Sequence, residues 1–213
     1  MNTKYIIFDL DDTLAYEIDY LKSAYKEIAE NLDKVNSENL RLEMLEAYHK
    51  GLNVFEILIQ KYPNSTKQRL INIYRTHFPD IQFIEGANDL LDDIKRKGYK
   101  IGLITDGRSI TQRNKLRALG IEGLFDLIII SEEFGSTKPD ERNYKAFVVD
   151  DISEYFYIAD NPKKDFLTPN KLGWTSICLL DKGNNIHPQN FDLDEKYLPK
   201  FVIENIKDVS KLI

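Results

Sequence analysis

The sequence has a single cysteine, no long hydrophobic run and no excess of positive charge. The lone Cys178 excludes an internal disulfide, and its apolar neighbours predict a buried core thiol rather than a reactive one. No apolar run reaches the roughly 18 residues that a membrane span needs, so we expect no membrane partner. The short apolar run after Lys4 stops at Asp9, which is not the pattern of a secretory signal peptide. These absences predict a cytoplasmic protein.

A basic surface for nucleic acid is also missing. The 213 residues carry a formal net charge of -6, and the pI is near 5.2. Unspecific binding to nucleic acid depends on a basic surface, so we expect no such partner. The three histidines, His49, His77 and His187, show no spacing typical of metal ligands. Repeats and low-complexity linkers are absent too, and the length fits one domain or a core with an insertion.

The most informative stretch begins at Tyr5. Four apolar residues, 5–8, predict a buried strand, and the acidic residues Asp9, Asp11 and Asp12 follow it directly. Carboxylates this close repel one another and resist desolvation, and a divalent cation would relieve both costs. Mg²⁺ typically binds one or two carboxylates together with a phosphate. The stretch therefore predicts a metal and phosphate site at the carboxyl end of a strand; the alternative is a solvated, Asp-rich turn.

Two different patterns follow this strand. Apolar residues from 15 to about 83 recur at helical spacing and predict about four helices. Strands and helices alternate from Gly86 onward, which predicts a parallel sheet with right-handed crossovers. We expect further strands at 100–105, 127–131, 155–159 and 174–180, a short one at 201–203, and a helix near 144–149. The predicted fold is α/β, with a Rossmann-like parallel sheet core (1–14 and 84–213) and an inserted helical domain (15–83).

Polar side chains follow each of the first four predicted strands. Because the carboxyl ends of parallel strands lie along one edge of the sheet, these side chains can converge. They are Asp9, Asp11, Thr105, Lys138, Asp160 and Asp165. Phosphoryl transfer needs an attacking group, neutralisation of charge, hydrogen-bond donors for the phosphoryl oxygens and a proton donor for the leaving oxygen. This set of residues supplies all four, and a carboxylate can itself be the nucleophile.

Four segments together resemble the haloacid dehalogenase superfamily of phosphotransferases. They are Asp9-Leu10-Asp11-Asp12-Thr13, Ile101-Gly102-Leu103-Ile104-Thr105, Lys138-Pro139 and Ala159-Asp160-Asn161-Pro162-Lys163-Lys164-Asp165. Their order also matches the superfamily over nearly the whole chain. One departure is Ala159, which stands where the superfamily usually has glycine. The helical insertion resembles the superfamily's cap domain.

The resemblance implies a role for each acidic residue. Asp9 would attack phosphorus and bind Mg²⁺, and Asp160 would be the second side-chain ligand of the metal. Asp11 would protonate the leaving oxygen and then activate water, while its main-chain carbonyl would reach the metal. Asp165 would be a neighbour of Lys138 or of metal-bound water, or a further ligand.

The resemblance also implies a phosphate-binding set, which consists of Thr105, Asp106, Gly107 and Lys138. Thr105 would donate a hydrogen bond to the phosphoryl group, helped by main-chain amides near the two residues that follow it. Lys138 would balance the negative charge of the nucleophile and of the phosphoryl oxygens.

The leading interpretation is a Mg²⁺-dependent phosphatase acting on a small phosphorylated metabolite, a sugar phosphate or a nucleotide, through an aspartyl phosphate. The alternatives are a phosphomutase of the same superfamily and a non-catalytic phosphoacceptor module. The superfamily's carbon–halogen hydrolases lack the acidic residue that Asp11 provides, which argues against that reaction. Arg108, Lys163 and Lys164 border the predicted site and could hold a substrate anion or lie in solvent. The sequence does not indicate an oligomeric state.

Overall fold

The computed structural model describes residues 3–213, and its strands form one parallel sheet of six. The strands are β1 (Lys4–Phe8), β2 (Lys100–Thr105), β3 (Leu127–Ile130), β4 (Glu154–Ala159), β5 (Thr175–Leu179) and β6 (Phe201–Ile203). Their order across the sheet is β3-β2-β1-β4-β5-β6. The acidic stretch after β1 therefore lies in the middle of the sheet edge, between the residues that follow β2 and β4.

Helices occupy most of the remaining chain. Four lie between β1 and residue 80: α1 (Glu17–Leu32), α2 (Ser37–His49), α3 (Val54–Lys61) and α4 (Lys67–Thr76). The others are α5 (Ala87–Arg96), α6 (Ser109–Ala118), α7 (Ser131–Phe134), α8 (Glu141–Lys145), α9 (Pro162–Asp165), α10 (Leu167–Lys171) and two 3-10 helices (Glu195–Tyr197 and Ile206–Lys211). The predicted α/β fold with flanking helices is confirmed.

The central strand β1 is apolar on both sides because both faces of the sheet are covered. Successive side chains of a strand point to opposite faces. Ile6 and Phe8 pack into one apolar cluster, while Tyr5 and Ile7 pack into the other. Cys178 lies in the second cluster and is buried, as the sequence predicted.

The helices α1 to α4 have an apolar core of their own. It includes Ile28, Ala29, Leu40, Met44, Leu58 and Leu70, all of them buried. The two chain segments that lead into and out of this helical part lie side by side, since the Ile84 amide donates to the Leu14 carbonyl at 2.8 Å. These contacts support division at 15–83, and the domain boundaries stay a prediction.

One helix begins earlier than the sequence pattern indicated. The helix expected near 144–149 is α8, which spans Glu141–Lys145. The side chain of Asp140 accepts a hydrogen bond from the Arg142 amide and caps the start of α8. The expected start at Tyr144 was too late, because the helix begins directly after its Asp140 cap and not at its first buried apolar residue.

Candidate active site

The acidic turn after β1 connects the sheet to the first helix. Asp9 is buried, and its Oδ1 accepts a hydrogen bond from the Leu10 amide at 2.8 Å. Asp12 has a left-handed backbone with φ of 57°, which reverses the chain here and is a conformation that aspartate tolerates better than most residues. Its Oδ1 accepts a hydrogen bond from the Glu17 amide at 2.9 Å, at the start of α1. Burial raises the pKa of Asp12 to about 7, against hydrogen bonds that lower it.

A fully buried ion-pair network lies beneath the turn. The Lys138 Nζ is 2.8 Å from Asp9 Oδ2 and 2.7 Å from Asp165 Oδ1. Burial alone would lower the pKa of Lys138, but Asp165 and Asp9 raise it well above its ordinary value. The lysine therefore remains an ammonium. Two further donors hold Asp165: the Tyr157 hydroxyl at 3.3 Å and the Asn161 amide at 3.0 Å.

Three carboxylates could share a cation at this edge. Each of Asp9, Asp160 and Asp165 offers an oxygen within 4.8 Å of the others, and all three residues are buried. Burial, followed by the charges of the neighbouring carboxylates, raises the pKa of Asp160 to about 9. Burial also raises the pKa of Asp9 to about 6, although Lys138 opposes this effect. A buried cluster of oxygen donors with excess negative charge fits a hard divalent cation such as Mg²⁺.

The predicted phosphate-binding residues lie near the three carboxylates, but each of them makes a different set of hydrogen bonds. The Thr105 hydroxyl accepts a hydrogen bond from Gln112 Nε2 at 2.5 Å, and it keeps its own proton to donate. Asp106 Oδ1 accepts from the Lys138 amide at 3.1 Å, which ties the second segment to the third. The Gly107 amide donates to Ser131 Oγ at 2.9 Å. The Gly107 amide is therefore already hydrogen-bonded within the protein. Thr105 and Lys138 lie next to the acidic turn.

Asp11 has partners that the sequence analysis missed. Its Oδ1 is 2.6 Å from Lys115 Nζ, and its Oδ2 accepts a hydrogen bond from Gln112 Nε2 at 3.0 Å. Both partners belong to α6, three residues apart, so they lie on the same helix face. That polar face on a helix packed against the sheet was the available signal. Which carboxylate it would meet could not be inferred, because Asp11 is about a hundred residues away in sequence.

The segment after β5 also reaches the site and was likewise missed. The Asn185 Nδ2 donates to Asp160 Oδ2 at 2.9 Å, and Gln189 Nε2 donates to the main-chain carbonyl of Asp160 at 2.6 Å. Ile186, between them, packs against the apolar core of the helical part. The sequence predicted only a short strand at 201–203 in this part of the chain, and no residue pattern there indicated contact with Asp160.

Of the three basic residues expected at the border, two have acidic neighbours. The Arg108 guanidinium donates to Glu132 Oε1 at 2.5 Å. The Lys164 Nζ is 4.0 Å from Asp106 Oδ2, at the edge of an ion pair. Lys163 contributes its main-chain amide to the Asn161 side chain at 3.2 Å, which caps α9. A role in substrate binding stays a prediction for all three.

A protein-family model matches most of the chain. The model described as "Haloacid dehalogenase-like hydrolase" matches residues 6–178. That range contains all four segments singled out in the sequence.

Across residues 3–213, no helix combines the length and the apolar character that crossing a membrane requires.

Curated relatives align with two thirds of the chain or more. A glyceraldehyde 3-phosphate phosphatase of Methanocaldococcus jannaschii is 27% identical, and the alignment covers 99% of this chain and 96% of the relative. The pyrimidine 5'-nucleotidase YjjG of Escherichia coli is 24% identical, with 100% and 99% covered. A glyceraldehyde 3-phosphate phosphatase of Methanothermobacter thermautotrophicus is 31% identical over 67% of this chain and 69% of the relative.

Solved structures share the fold. The HAD-hydrolase YfnB from Bacillus subtilis, bound to magnesium, superposes with a TM-score of 0.69 at 18% identity, covering 100% of this chain and 99% of that one. A HAD phosphatase from Thermococcus onnurineus gives a TM-score of 0.63 at 16% identity, covering 99% and 97%. At these identities the likeness concerns the fold alone.

Proposed function

The chain belongs to the haloacid dehalogenase-like hydrolases, and from this membership we propose that it is a Mg²⁺-dependent phosphatase in which Asp9 is the nucleophile. The hydrolysis of a small phosphomonoester agrees with the phosphatase relatives. The observation that carries the proposal is the position of Asp9. It directly follows the central strand β1, its Oδ2 is 2.8 Å from the buried Lys138 ammonium, and Asp160 lies close by.

The first half of the reaction transfers the phosphoryl group to the protein. A carboxylate oxygen of Asp9 forms a bond to phosphorus while the bond from phosphorus to the ester oxygen breaks. The ester oxygen takes a proton from the Asp11 carboxyl group and leaves as an alcohol. The Asp11 side chain is 21% exposed, so it can face a bound ester while its neighbour Lys115 stays buried.

The second half returns Asp9 to its starting state. Water attacks phosphorus and gives a proton to the Asp11 carboxylate, while the bond between phosphorus and Asp9 breaks and phosphate is released. The Thr105 hydroxyl donates a hydrogen bond to a phosphoryl oxygen during both halves of the reaction. Lys138 neutralises negative charge on Asp9 and on the phosphoryl group. Asp165 pairs with the Lys138 ammonium and holds it in place.

A metal would be held by Asp9, Asp160 and the main-chain carbonyl of Asp11. When bound, Mg²⁺ supplies charge neutralisation for the phosphoryl oxygens. The oxygens of Asp165 already pair with the Lys138 ammonium and accept hydrogen bonds from Tyr157 and Asn161. We therefore place Asp165 beside Lys138 rather than among the ligands.

The names of the relatives narrow the substrates to test. Five of the curated relatives are named glyceraldehyde 3-phosphate phosphatase and one is a pyrimidine 5'-nucleotidase. Both names fit the sugar phosphate or nucleotide expected from the sequence. Glyceraldehyde 3-phosphate is the first substrate to assay, followed by pyrimidine 5'-nucleotides.

The test compares wild type with Asp9→Asn. With Mg²⁺ present, we expect wild type to release phosphate from glyceraldehyde 3-phosphate or from 4-nitrophenyl phosphate. Chelation by EDTA should abolish this release. In Asp9→Asn the rate should fall by about a thousandfold or more, because the amide is a poor nucleophile.

The control for this comparison is Asp151→Asn. Asp151 is exposed and lies on the surface 3.5 Å from Lys100, so its loss should leave the rate unchanged. Phosphate release that persists in Asp9→Asn would refute the assignment of the nucleophile. Interconversion of phosphate isomers without release would favour a phosphomutase instead.

A further inference from the structure

Asp11 is held by two side chains of α6, and neither belongs to the four segments that define the proposed site. Lys115 Nζ lies 2.6 Å from its Oδ1, and Gln112 Nε2 donates to its Oδ2 at 3.0 Å. Each carboxyl oxygen therefore has one partner on the same helix. A carboxyl group fixed at both oxygens cannot rotate about its terminal bond without losing both contacts.

Lys115 is placed to act through Asp11 rather than on a substrate. Its side chain is 4% exposed, whereas the Asp11 side chain is 21% exposed. The ammonium also lies over the ring of Tyr20 in α1, 4.5 Å from its centroid. An ammonium covered by an aromatic ring and a carboxylate is shielded from water, so its contact with Asp11 is stronger than a surface ion pair.

Gln112 connects the same carboxyl group to the phosphate-binding side of the site. Its Nε2 donates both to Asp11 Oδ2 and to Thr105 Oγ1, the latter at 2.5 Å. The distance between the proton donor and the proposed phosphoryl-binding hydroxyl is thereby set by one amide. General acid catalysis depends on such positioning, because the donor must lie within hydrogen-bond reach of the leaving oxygen.

We propose that Lys115 is a positioning residue for the proposed reaction, and that with Gln112 it directs the Asp11 carboxyl group at the leaving oxygen. The inference rests on the proposed phosphatase function. The effect of losing this positioning should depend on the leaving group of the ester. Esters whose leaving oxygen needs a proton depend on the position of Asp11, whereas esters with a stable leaving anion do not.

The experiment compares two esters of similar size, benzyl phosphate and 4-nitrophenyl phosphate. The alkoxide of benzyl alcohol is a poor leaving group and needs the proton, while 4-nitrophenolate leaves without it. The readout is kcat/KM, which covers the steps up to loss of the alcohol and excludes hydrolysis of the phosphorylated protein. We expect Lys115→Met to lower kcat/KM for benzyl phosphate about tenfold more than for 4-nitrophenyl phosphate.

The ratio of the two kcat/KM values separates positioning from folding. A fraction of inactive protein lowers both values equally and cancels in the ratio. Lys115→Gln keeps a hydrogen-bond donor without the charge and should give a ratio between those of wild type and Lys115→Met. The matched control is Arg117→Met on the same helix, whose guanidinium pairs with Glu122 at 3.0 Å, and its ratio should equal that of wild type.

Two failures can be told apart. If wild type releases phosphate neither from these esters nor from glyceraldehyde 3-phosphate, the proposed function fails. If wild type is active and Lys115→Met lowers both kcat/KM values by the same factor, Lys115 only supports the fold. In that case the positioning role is overturned and the phosphatase proposal stands.

Discussion

Burial and like charge shift the pKa of single residues in this site, and Asp160 shows their combined effect. Burial and the neighbouring Asp165 and Asp9 raise its pKa to about 9, whereas an exposed aspartate has a pKa near 3.9. Between these two pH values the folded protein holds a proton that the unfolded chain has lost. The contribution of Asp160 to stability therefore falls as pH rises through this range, in the absence of metal.

Replacing Asp160 by asparagine should stabilise the metal-free protein at neutral pH. The amide carries no charge to desolvate and still accepts the hydrogen bond from Asn185. We expect Tm at pH 7 with EDTA to rise by about 2–4 °C, which corresponds to roughly 1 kcal/mol for a chain of this size. The difference from wild type should grow between pH 6 and pH 8 in thermal unfolding monitored by circular dichroism.

Added Mg²⁺ provides the control for this variant. A cation that binds only the folded state raises Tm, so Mg²⁺ should stabilise wild type and have little effect on Asp160→Asn. A Tm for Asp160→Asn that is lower than that of wild type at every pH with EDTA would contradict the account. Equal stabilisation of both proteins by Mg²⁺ would place the cation elsewhere.

The site residues that could be predicted from the sequence are those that belong to short motifs at the ends of predicted strands. Asp9 and Asp160 follow apolar strands, so their shared edge was predictable because the carboxyl ends of parallel strands lie along one edge of the sheet. Lys115, Gln112 and Asn185 reach the site through tertiary packing alone. Their contacts join residues that are far apart in the chain, and no spacing rule connects them.

Strands and helices were predicted most accurately where the apolar runs of the sequence are unbroken. β2 spans Lys100–Thr105 as expected, because its side chains are buried on both faces. The helix α8 was placed late, since the Asp140 cap, rather than apolar spacing, determines where it begins. Local capping is visible in a sequence, but several polar residues nearby could have served as the cap.

Gly102 in β2 is a site where close packing excludes any side chain. A methyl group added there would lie 2.4 Å from the Phe147 ring and 3.1 Å from Ile7. We expect Gly102→Ala to lower the free energy of unfolding by about 1–3 kcal/mol, since the ring must move within a packed core. Urea denaturation followed by tryptophan fluorescence, with Trp174 in the same cluster, would measure the loss.

Gly123→Ala is the matched control for this substitution. Gly123 has no atom within 4 Å of an added methyl group, so its replacement should change stability by less than about 0.5 kcal/mol. If Gly102→Ala were as stable as Gly123→Ala, the contact between β2 and Phe147 would be looser than described.

The whole molecule combines a sheet, whose strands are followed by the acidic residues, with a helical part that contacts the same edge. The helical part reaches the site at Tyr20, which lies over Lys115, and at Glu17, whose amide is bound by Asp12. From the other side, Ile186 attaches the segment after β5 to the helical core. The helical insertion was predictable from its spacing, but these cross-contacts were not, because they depend on how the two parts pack.

The arrangement also places buried positive charge where the proposed anionic ester would bind. The net charge is -6, yet the ammonium groups of Lys138 and Lys115 are buried against the carboxylates that would react. These two buried ammonium groups offset part of the negative charge of the carboxylates at the edge of the sheet. A proposed Mg²⁺ at the same edge would add to it.

The central claim is that Asp9 carries the phosphoryl group during turnover. The most direct test mixes the protein with Mg²⁺ and 4-nitrophenyl phosphate, quenches with acid during turnover, and reduces any acyl phosphate with borohydride. Peptide mass spectrometry should then find homoserine at position 9, and none in samples that lacked substrate. Reduction at another aspartate, or an unmodified Asp9 in protein that is releasing phosphate, would contradict the account.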